Sequence, residues 1–196
     1  MSTNSYIVIN EQSGECFVTD PGSCPSEYVR FLKEGDLKVS AVLLTHGHFD
    51  HILGLEKFLK EFPVPVYACE EEKSVLEDPA LNLSGMMGPG YSFRGAEYLR
   101  DGETFEVAGI SVKVIHTPGH TLGGCCYYIQ EEGVLFSGDT LFAASIGRTD
   151  FPTGSSSQLV RSVREKLFVL PDEVTVYPGH MEETTIGCEK GTNPFV

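Results

Sequence analysis

The sequence predicts an α/β protein in which two mixed β-sheets pack face to face and helices cover their outer surfaces. Nine short β-rich runs are spread over the chain, and three helical patterns lie between them, each with one apolar face. The chain has 196 residues, of which 41 % are hydrophobic and 10 % aromatic, enough for one buried core. We therefore expect a single domain over residues 1–196.

The predicted strands are four to seven residues long and carry alternating or continuous apolar side chains. In chain order they are residues 6–9, 15–19, 39–44, 64–68, 104–107, 110–116, 125–129, 133–136 and 174–177. The predicted helices are residues 26–34, ended by Gly35, and then 52–62 and 157–168. Because each helix has a single apolar face, we place all three on the outside of the sheets.

One long connection, residues 78–95, combines four glycines and two prolines with Met86, Met87, Tyr91 and Phe93. This composition is typical of a loop that folds over a functional site. An ordinary surface connection with a few anchored side chains is the alternative.

Charge and composition exclude several classes of partner. Fourteen basic residues against 28 acidic ones give a net charge of -14, which disfavours nucleic acid and anionic membrane surfaces. The chain has no apolar segment of the roughly 20 residues that span a bilayer, and its opening does not resemble a signal peptide, so a cytoplasmic location is expected. The cysteines form no C-x-x-C pair and are expected to be reduced thiols, mostly in the core: Cys16, Cys24, Cys69, Cys125, Cys126 and Cys188.

The strongest functional signal is a cluster of histidines after the apolar run 42–45. Within six residues the chain places His46, His48, Asp50 and His51. Three further apolar runs lead in the same way to His120, Asp139 and His180. Strand ends hold side chains rigidly, and imidazole and carboxylate groups are metal ligands.

Seven potential donors are too many for one four-coordinate zinc ion. Two ions about 3.5–4 Å apart that share one carboxylate fit the number better. Asp139 is the carboxylate that remains for the shared position. We expect two divalent ions, with zinc as the first choice and iron or manganese also compatible with these ligands.

Two other polar residues could support the ligands. His116 ends a predicted strand four residues before His120. We expect it to be buried and hydrogen-bonded, or to support a metal-binding residue, rather than to bind metal itself. Asp20 lies in the turn Thr19-Asp20-Pro21-Gly22, either as a simple turn former or as a carboxylate that orients a metal-binding histidine.

The motifs T-H-G-H-F-D-H, T-P-G-H-T, S-G-D-T and Y-P-G-H resemble those of the metallo-β-lactamase superfamily, across nearly the whole chain. The resemblance implies an αββα sandwich with a dinuclear site along one edge of the sheets. It also implies that His46, His48 and His120 bind the first metal ion, that Asp50, His51 and His180 bind the second, and that Asp139 bridges them. Asp50 and Asp139 would be the catalytic carboxylates.

Within this superfamily, I-G-R-T-D-F-P and the closing T-N-P-F-V resemble the short, single-domain glyoxalase II-like proteins. Only 16 residues follow His180, so no C-terminal helical glutathione-binding domain is expected. A basic residue binds the thiol peptide in glyoxalase II, which implies Arg148 as a substrate-binding residue. Tyrosines expected near Asp150 and Glu182 are absent, so the thiol need not be glutathione. Arg148 could instead be structural, paired with a carbonyl or with Asp150.

The resemblance implies a hydrolase of small-molecule thioesters such as S-lactoyl-thiol conjugates, in which a metal-bound hydroxide attacks the carbonyl and a thiolate leaves. A persulfide dioxygenase with one iron is the main alternative. A metal-stabilised binding module without turnover is a third hypothesis, disfavoured because structural zinc sites are usually closed and mononuclear. A β-lactamase and a nuclease are less favoured, the first for want of an export signal and the second because of the charge.

Overall fold

The computed structural model describes residues 3–196. Two large sheets face each other, and a two-stranded ribbon, β10-β11, lies beside them. The strands are β1 (Tyr6–Ile9), β2 (Glu15–Thr19), β3 (Lys38–Leu43), β4 (Val66–Cys69), β5 (Ala96–Leu99), β6 (Thr104–Val107), β7 (Ile110–His116), β8 (Cys125–Ile129), β9 (Val134–Gly138), β10 (Leu141–Phe142), β11 (Ser145–Ile146), β12 (Thr175–Pro178) and β13 (Thr184–Thr185).

Both large sheets are mixed. The first has the order β1-β2-β3-β4-β5, with β1 antiparallel to β2 and the remaining neighbours parallel. The second has the order β13-β12-β9-β8-β7-β6, in which only the β12-β9 pair is parallel. Parallel neighbours end at the same edge of a sheet, so β2, β3, β9 and β12 can deliver their following turns to one region.

The alternation of side chains along the strands explains the layers. On β2, Phe17 faces the core between the sheets, while Cys16 and Val18 face the helices outside. On β8, Tyr127 lies in the same central core and Tyr128 in the outer core of the second sheet. Central strands with apolar residues on both faces must be covered on both sides, which produces the αββα arrangement predicted from the sequence.

The helices form the outer layers. They are α1 (Ser26–Glu34), α2 (Phe49–Ile52), α3 (Leu55–Glu61), α4 (Lys73–Glu77), α5 (Ser156–Ser162) and α6 (Ile186–Thr192). Leu32 of α1 and Phe58 of α3 pack on the first sheet, and Leu159 of α5 is fully buried. The predicted fold class is confirmed.

Two predicted helices differ from the structure, and several short elements were not predicted. The helix predicted over 52–62 is divided at Gly54, where a Cβ atom would lie 2.4 Å from the Pro21 carbonyl oxygen, so the chain there passes too close for a side chain. The helix predicted over 157–168 changes to a π-helical turn at Val163–Leu167. The elements that were not predicted are short and carry only a weak periodic pattern: strands β5, β10, β11 and β13 and helices α4 and α6.

The 78–95 connection contains one 3₁₀ turn, Ser84–Met86, and is otherwise irregular. Tyr91 and Phe93 pack against the outer core of the first sheet, and the Asn82 carbonyl accepts a hydrogen bond from Phe49 N (2.9 Å) at the start of α2. The loop therefore buttresses the helix that carries Asp50 and His51. Whether it also covers a substrate stays a prediction.

None of the helices between residues 3 and 196 has the length and apolar character needed to cross a bilayer. The six cysteines are free thiols, as predicted, and all but Cys188 are buried.

Candidate metal centre

Four strand ends converge at one edge of the two sheets, as the sequence predicted. Strand β3 leads into His46, His48, Asp50 and His51, the last two within α2. Strands β7, β9 and β12 lead to His120, Asp139 and His180 respectively. The structure thus brings all seven predicted ligands together.

The seven side chains form two groups joined by one carboxylate. Ligand atoms of the first ligand set (His46, His48 and His120) lie within 4.8 Å of one another, and so do those of the second ligand set (Asp50, His51 and His180). Asp139 Oδ2 lies 3.4 Å from Nε2 of both His120 and His180, and its Oδ1 lies 3.4 Å from His51 Nε2. Asp139 therefore reaches both sets.

Several buried polar atoms at this site have no protein partner in hydrogen-bonding geometry. Unpaired buried acceptors of this kind indicate that the site suits a cation. They include His46 Nε2, His51 Nε2 and Asp139 Oδ1. Leaving such atoms unsatisfied costs about 1–3 kcal/mol each. Metal ions held by the two ligand sets would satisfy these atoms, and imidazole and carboxylate donors suit zinc, iron and manganese. The residues therefore fit a metal centre.

Protein acceptors select the ring nitrogen that each of two imidazoles of the first set offers to a metal. His120 Nδ1 lies 2.7 Å from the Arg148 carbonyl, which can only accept, so Nδ1 carries the proton and Nε2 is available. His46 Nδ1 lies 3.2 Å from the Thr45 hydroxyl, which leaves His46 Nε2 available. His48 Nδ1 lies 2.8 Å from His120 Nε2, so these two nitrogens converge.

Asp20 lies beside His51 of the second set. Its Oδ2 is 3.1 Å from His51 Nδ1, an ion-pair distance, although the two atoms are not in hydrogen-bonding geometry. A carboxylate next to Nδ1 favours the proton on that nitrogen and leaves Nε2 for a metal. Asp20 accepts hydrogen bonds from Thr45 N (2.8 Å) and Thr45 Oγ1 (2.6 Å). The structure thus brings Asp20, predicted as a possible supporting carboxylate, against a ligand.

The pKa values at the site follow from burial and from neighbouring charges. Burial, with the neighbouring imidazole of His120, lowers the pKa of His48 to about 3, so His48 is neutral at pH 7. Burial also opposes a charge on His51, but the carboxylates of Asp139 and Asp20 outweigh it and hold the pKa of His51 well above its usual value. For Asp50, burial is outweighed by His180 and His51, and its pKa falls to about 2.

Gly179 allows the turn before His180 to approach the other ligands. A Cβ atom at this position would lie 2.4 Å from Asp139 Oδ1 and 2.7 Å from His51 Cε1. Only glycine avoids both contacts, which explains the P-G-H sequence after β12.

Arg148 lies at the rim of the site. Its side chain is 53 % exposed and binds both carboxylate oxygens of Asp150, at 2.7 and 2.6 Å. Its guanidinium stacks 3.9 Å from the centroid of the Phe151 ring, and that ring contacts His48 with centroids 5.8 Å apart. The pairing with Asp150 was one of the two alternatives weighed from the sequence, and a role for Arg148 in substrate binding stays a prediction.

His116 lies beside Cys69 and Glu71, and its Nε2 is 3.0 Å from the Leu122 carbonyl oxygen. His116 is half-buried, not fully buried as predicted, and it contacts the loop that follows His120. Its role in supporting a metal-binding residue stays a prediction. Sequence reasoning passed over Thr45 and Glu72, which hold the ligand-bearing loops. Nothing in the sequence distinguishes Glu72 from the other glutamates of the run Glu70-Glu71-Glu72.

Comparison with known proteins identifies the family. The sequence profile of the metallo-β-lactamase superfamily matches residues 1–180. The chain belongs to the metallo-β-lactamase superfamily.

The curated relatives of this superfamily member include proteins with functional names. The probable metallo-hydrolase YqgX of Bacillus subtilis is 36 % identical over 100 % of the chain and 93 % of the relative. The hydroxyacylglutathione hydrolase GloC of Haemophilus influenzae is 34 % identical over 91 % of the chain and 86 % of its own length. The chain is therefore similar over nearly its whole length to metal-dependent hydrolases.

Three solved structures show the same fold. BLEG-1, described as a B3 metallo-β-lactamase, is 41 % identical with a TM-score of 0.91, over 98 % of this chain and 93 % of that one. TTHA1623 in a di-iron-bound form is 31 % identical with a TM-score of 0.86, over 99 % and 95 %. ETHE1 from Myxococcus xanthus is 30 % identical with a TM-score of 0.77, over 98 % and 79 %.

Proposed function

We propose that this superfamily member is a dinuclear metallo-hydrolase of the glyoxalase II type that cleaves S-acyl thiol conjugates such as S-lactoyl-thiols. The observation that carries the proposal is the position of Asp139, which lies within 3.4 Å of imidazole nitrogens from both ligand sets. A carboxylate so placed can bridge two ions. Similarity to the hydroxyacylglutathione hydrolase GloC supports a thioester as the substrate.

Two divalent ions at this centre, which we expect to be zinc with iron or manganese as alternatives, would supply a Lewis acid for the carbonyl oxygen and lower the pKa of a water molecule. The chain's own residues orient this chemistry. Asp20, Thr45 and the Arg148 carbonyl hold the imidazoles in the tautomers described above.

Asp50 and Asp139 remain carboxylates at neutral pH, because the adjacent imidazoles overcome the effect of burial and hold the pKa of each below its usual value. Neither is suited to donate a proton to a poor leaving group. A thiolate leaves without protonation, so a thioester matches this site better than a substrate that needs a strong general acid.

The thiol portion of the substrate is proposed to bind at the rim. Arg148 and Phe151 form a stacked pair beside His48, with the guanidinium more than half exposed. An anionic thiol peptide could pair with this guanidinium in place of Asp150. The free thiols of the chain suit a reducing compartment, and we place the reaction in the cytoplasm.

The second candidate is a mononuclear-iron persulfide dioxygenase, favoured by the stretch Gly147-Arg148-Thr149-Asp150, which resembles the G-R-T-D stretch of dioxygenases in this superfamily. That reaction would need oxygen and one ion. The similarity to BLEG-1 makes a β-lactam ring a third substrate to test.

The deciding experiment combines metal analysis of anaerobically purified protein with three assays. These are thiol release from S-lactoylglutathione, oxygen uptake with glutathione persulfide, and opening of a chromogenic cephalosporin. The proposal expects two ions per chain and thioester hydrolysis that does not depend on oxygen. One iron per chain with oxygen uptake would replace it with the dioxygenase.

A further inference from the structure

Glu72 is a buried glutamate that contacts neither ligand set directly. It ends the 3₁₀ turn Glu70–Glu72 that follows β4, and its side chain is fully buried. Glu72 Oε1 accepts a hydrogen bond from Gly47 N (2.7 Å). Glu72 Oε2 accepts hydrogen bonds from Thr121 Oγ1 (2.9 Å) and Gly123 N (2.8 Å).

These donors lie in the two loops that carry the first ligand set. Gly47 stands between His46 and His48, and Thr121 directly follows His120. One carboxylate therefore joins a loop of the first sheet to a loop of the second, on either side of the same three imidazoles. All three hydrogen bonds of Glu72 go to these two loops.

The packing of the loops is a second observation. A Cβ atom at Gly123 would lie 2.0 Å from Glu72 N, and one at Gly47 would lie 3.1 Å from Leu76 N. Both loops thus lie directly against the backbone of the segment that carries Glu72 and Leu76. The missing side chains at the two glycines allow this approach.

We propose that Glu72 is a positioning residue that sets the distance between the His46–His48 loop and His120, and thereby the affinity of the first metal ion. This inference rests on the metal centre proposed above. Burial raises the pKa of Glu72 to about 7, an effect that its three hydrogen-bond donors only partly offset. An ionised carboxylate is costly to bury, but it accepts at both oxygens, which this position requires.

An amide cannot replace this carboxylate. In Glu72→Gln, one orientation of the side chain points its NH₂ group at Gly47 N–H, and the other points it at Gly123 N–H. Either orientation releases one of the two loops, although the size of the side chain is unchanged. Glu71→Gln is the matched control, because Glu71 is the adjacent residue of the same turn and accepts only from the Cys69 thiol (2.9 Å) among the hydrogen bonds described.

The experiment measures zinc affinity of the metal-free full-length chain by competition with a chelator, in two single-site backgrounds. His180→Ala keeps the first set, and His48→Ala keeps the second. Glu72→Gln should weaken zinc binding by roughly 10- to 100-fold in the His180→Ala background, the range for residues that orient metal ligands. It should change binding little in the His48→Ala background, and Glu71→Gln should change neither.

Equal losses in both backgrounds, or a lower melting temperature with unchanged zinc affinity, would assign Glu72 a purely structural role and overturn the inference. If Glu72→Gln does not fold by circular dichroism, Thr121→Val removes a single donor and should show the same selectivity to a smaller degree. Failure of the wild-type chain to bind a second ion would contradict the dinuclear function instead. The role of Glu72 would still be tested by the zinc affinity of the first ligand set in the His180→Ala background.

Discussion

Replacing Asp20 by asparagine should lower the metal affinity of the second ligand set but leave the fold nearly unchanged. Asp20 has a positive φ of 42°, a conformation that asparagine tolerates nearly as well as aspartate, so the backbone should not change. The side-chain amide cannot reproduce the contacts, however. Its NH₂ group must face either Thr45 N–H or His51 Nδ1–H, and both of these are donors.

The magnitude follows from the tautomer of His51. A metal binds His51 only after one proton has left the imidazole. Without an acceptor at Nδ1, the proton that remains favours Nε2, the nitrogen that faces Asp139 at 3.4 Å, so the lone pair that the metal needs is no longer the favoured one. Removing such an orienting carboxylate typically costs 10- to 100-fold in metal affinity. This corresponds to about 1.4–2.8 kcal/mol of binding free energy.

The assay is zinc competition with the His48→Ala background, which keeps the second set, and the His180→Ala background, which keeps the first. Asp20→Asn should lower affinity in the former by the amount stated and in the latter by much less. Asp36→Asn is the matched control, since Asp36 also has a positive φ (51°) but is exposed. Unchanged zinc affinity in the His48→Ala background would refute the tautomer argument.

Three further predictions concern the ions and the substrate. Asp139→Asn and His48→Ala should each abolish turnover but leave a folded domain by circular dichroism, because the core is large; collapse would mean that the fold requires metal. Metal binding at pH 7 should release about one proton, because the raised pKa of His51 keeps its imidazole charged before the metal binds. Metal affinity should therefore rise with pH until His51 is neutral. Calorimetry in buffers of different ionisation enthalpy measures the number of protons released, and a value of zero would contradict this prediction. Arg148→Ala should raise KM severalfold for an anionic thioester with little effect on kcat. Asp150→Asn frees the Arg148 guanidinium and should lower KM for the same substrate. If both variants change KM equally for an uncharged thioester, Arg148 is a structural residue.

The sequence was sufficient to predict the layers and which seven side chains come together at the candidate metal centre, because both depend on local patterns. Apolar runs that end in histidine or aspartate indicate where His46 and Asp139 leave their strands. The close approach of Gly54 to Pro21, at the point where the second predicted helix is divided, was not foreseeable, because the two residues are far apart in sequence.

The supporting residues were harder to predict than the ligands. Glu72 stands in an acidic run that reads as solvated surface, yet its side chain binds loops 25 and 51 residues away. Arg148 was expected near the site from its motif, but the sequence did not decide whether it pairs with Asp150. The structure shows that pair, and the substrate-binding role of Arg148 stays a prediction. Long-range hydrogen bonds of this kind leave no periodic signal in a single sequence.

The candidate ligands come from both sheets, so the geometry of the metal centre depends on how the two sheets pack against each other. His46 and His48 follow a strand of the first sheet, whereas His120 and His180 follow strands of the second. Any shift of one sheet over the other changes distances within both ligand sets. A substitution that leaves a cavity between the sheets, for instance at Phe17, should therefore lower zinc affinity. A cavity of similar size under the outer helices, at Leu32, should mainly lower the stability of the fold. We therefore expect metal affinity in this fold to depend on the packing of side chains that lie outside both ligand sets.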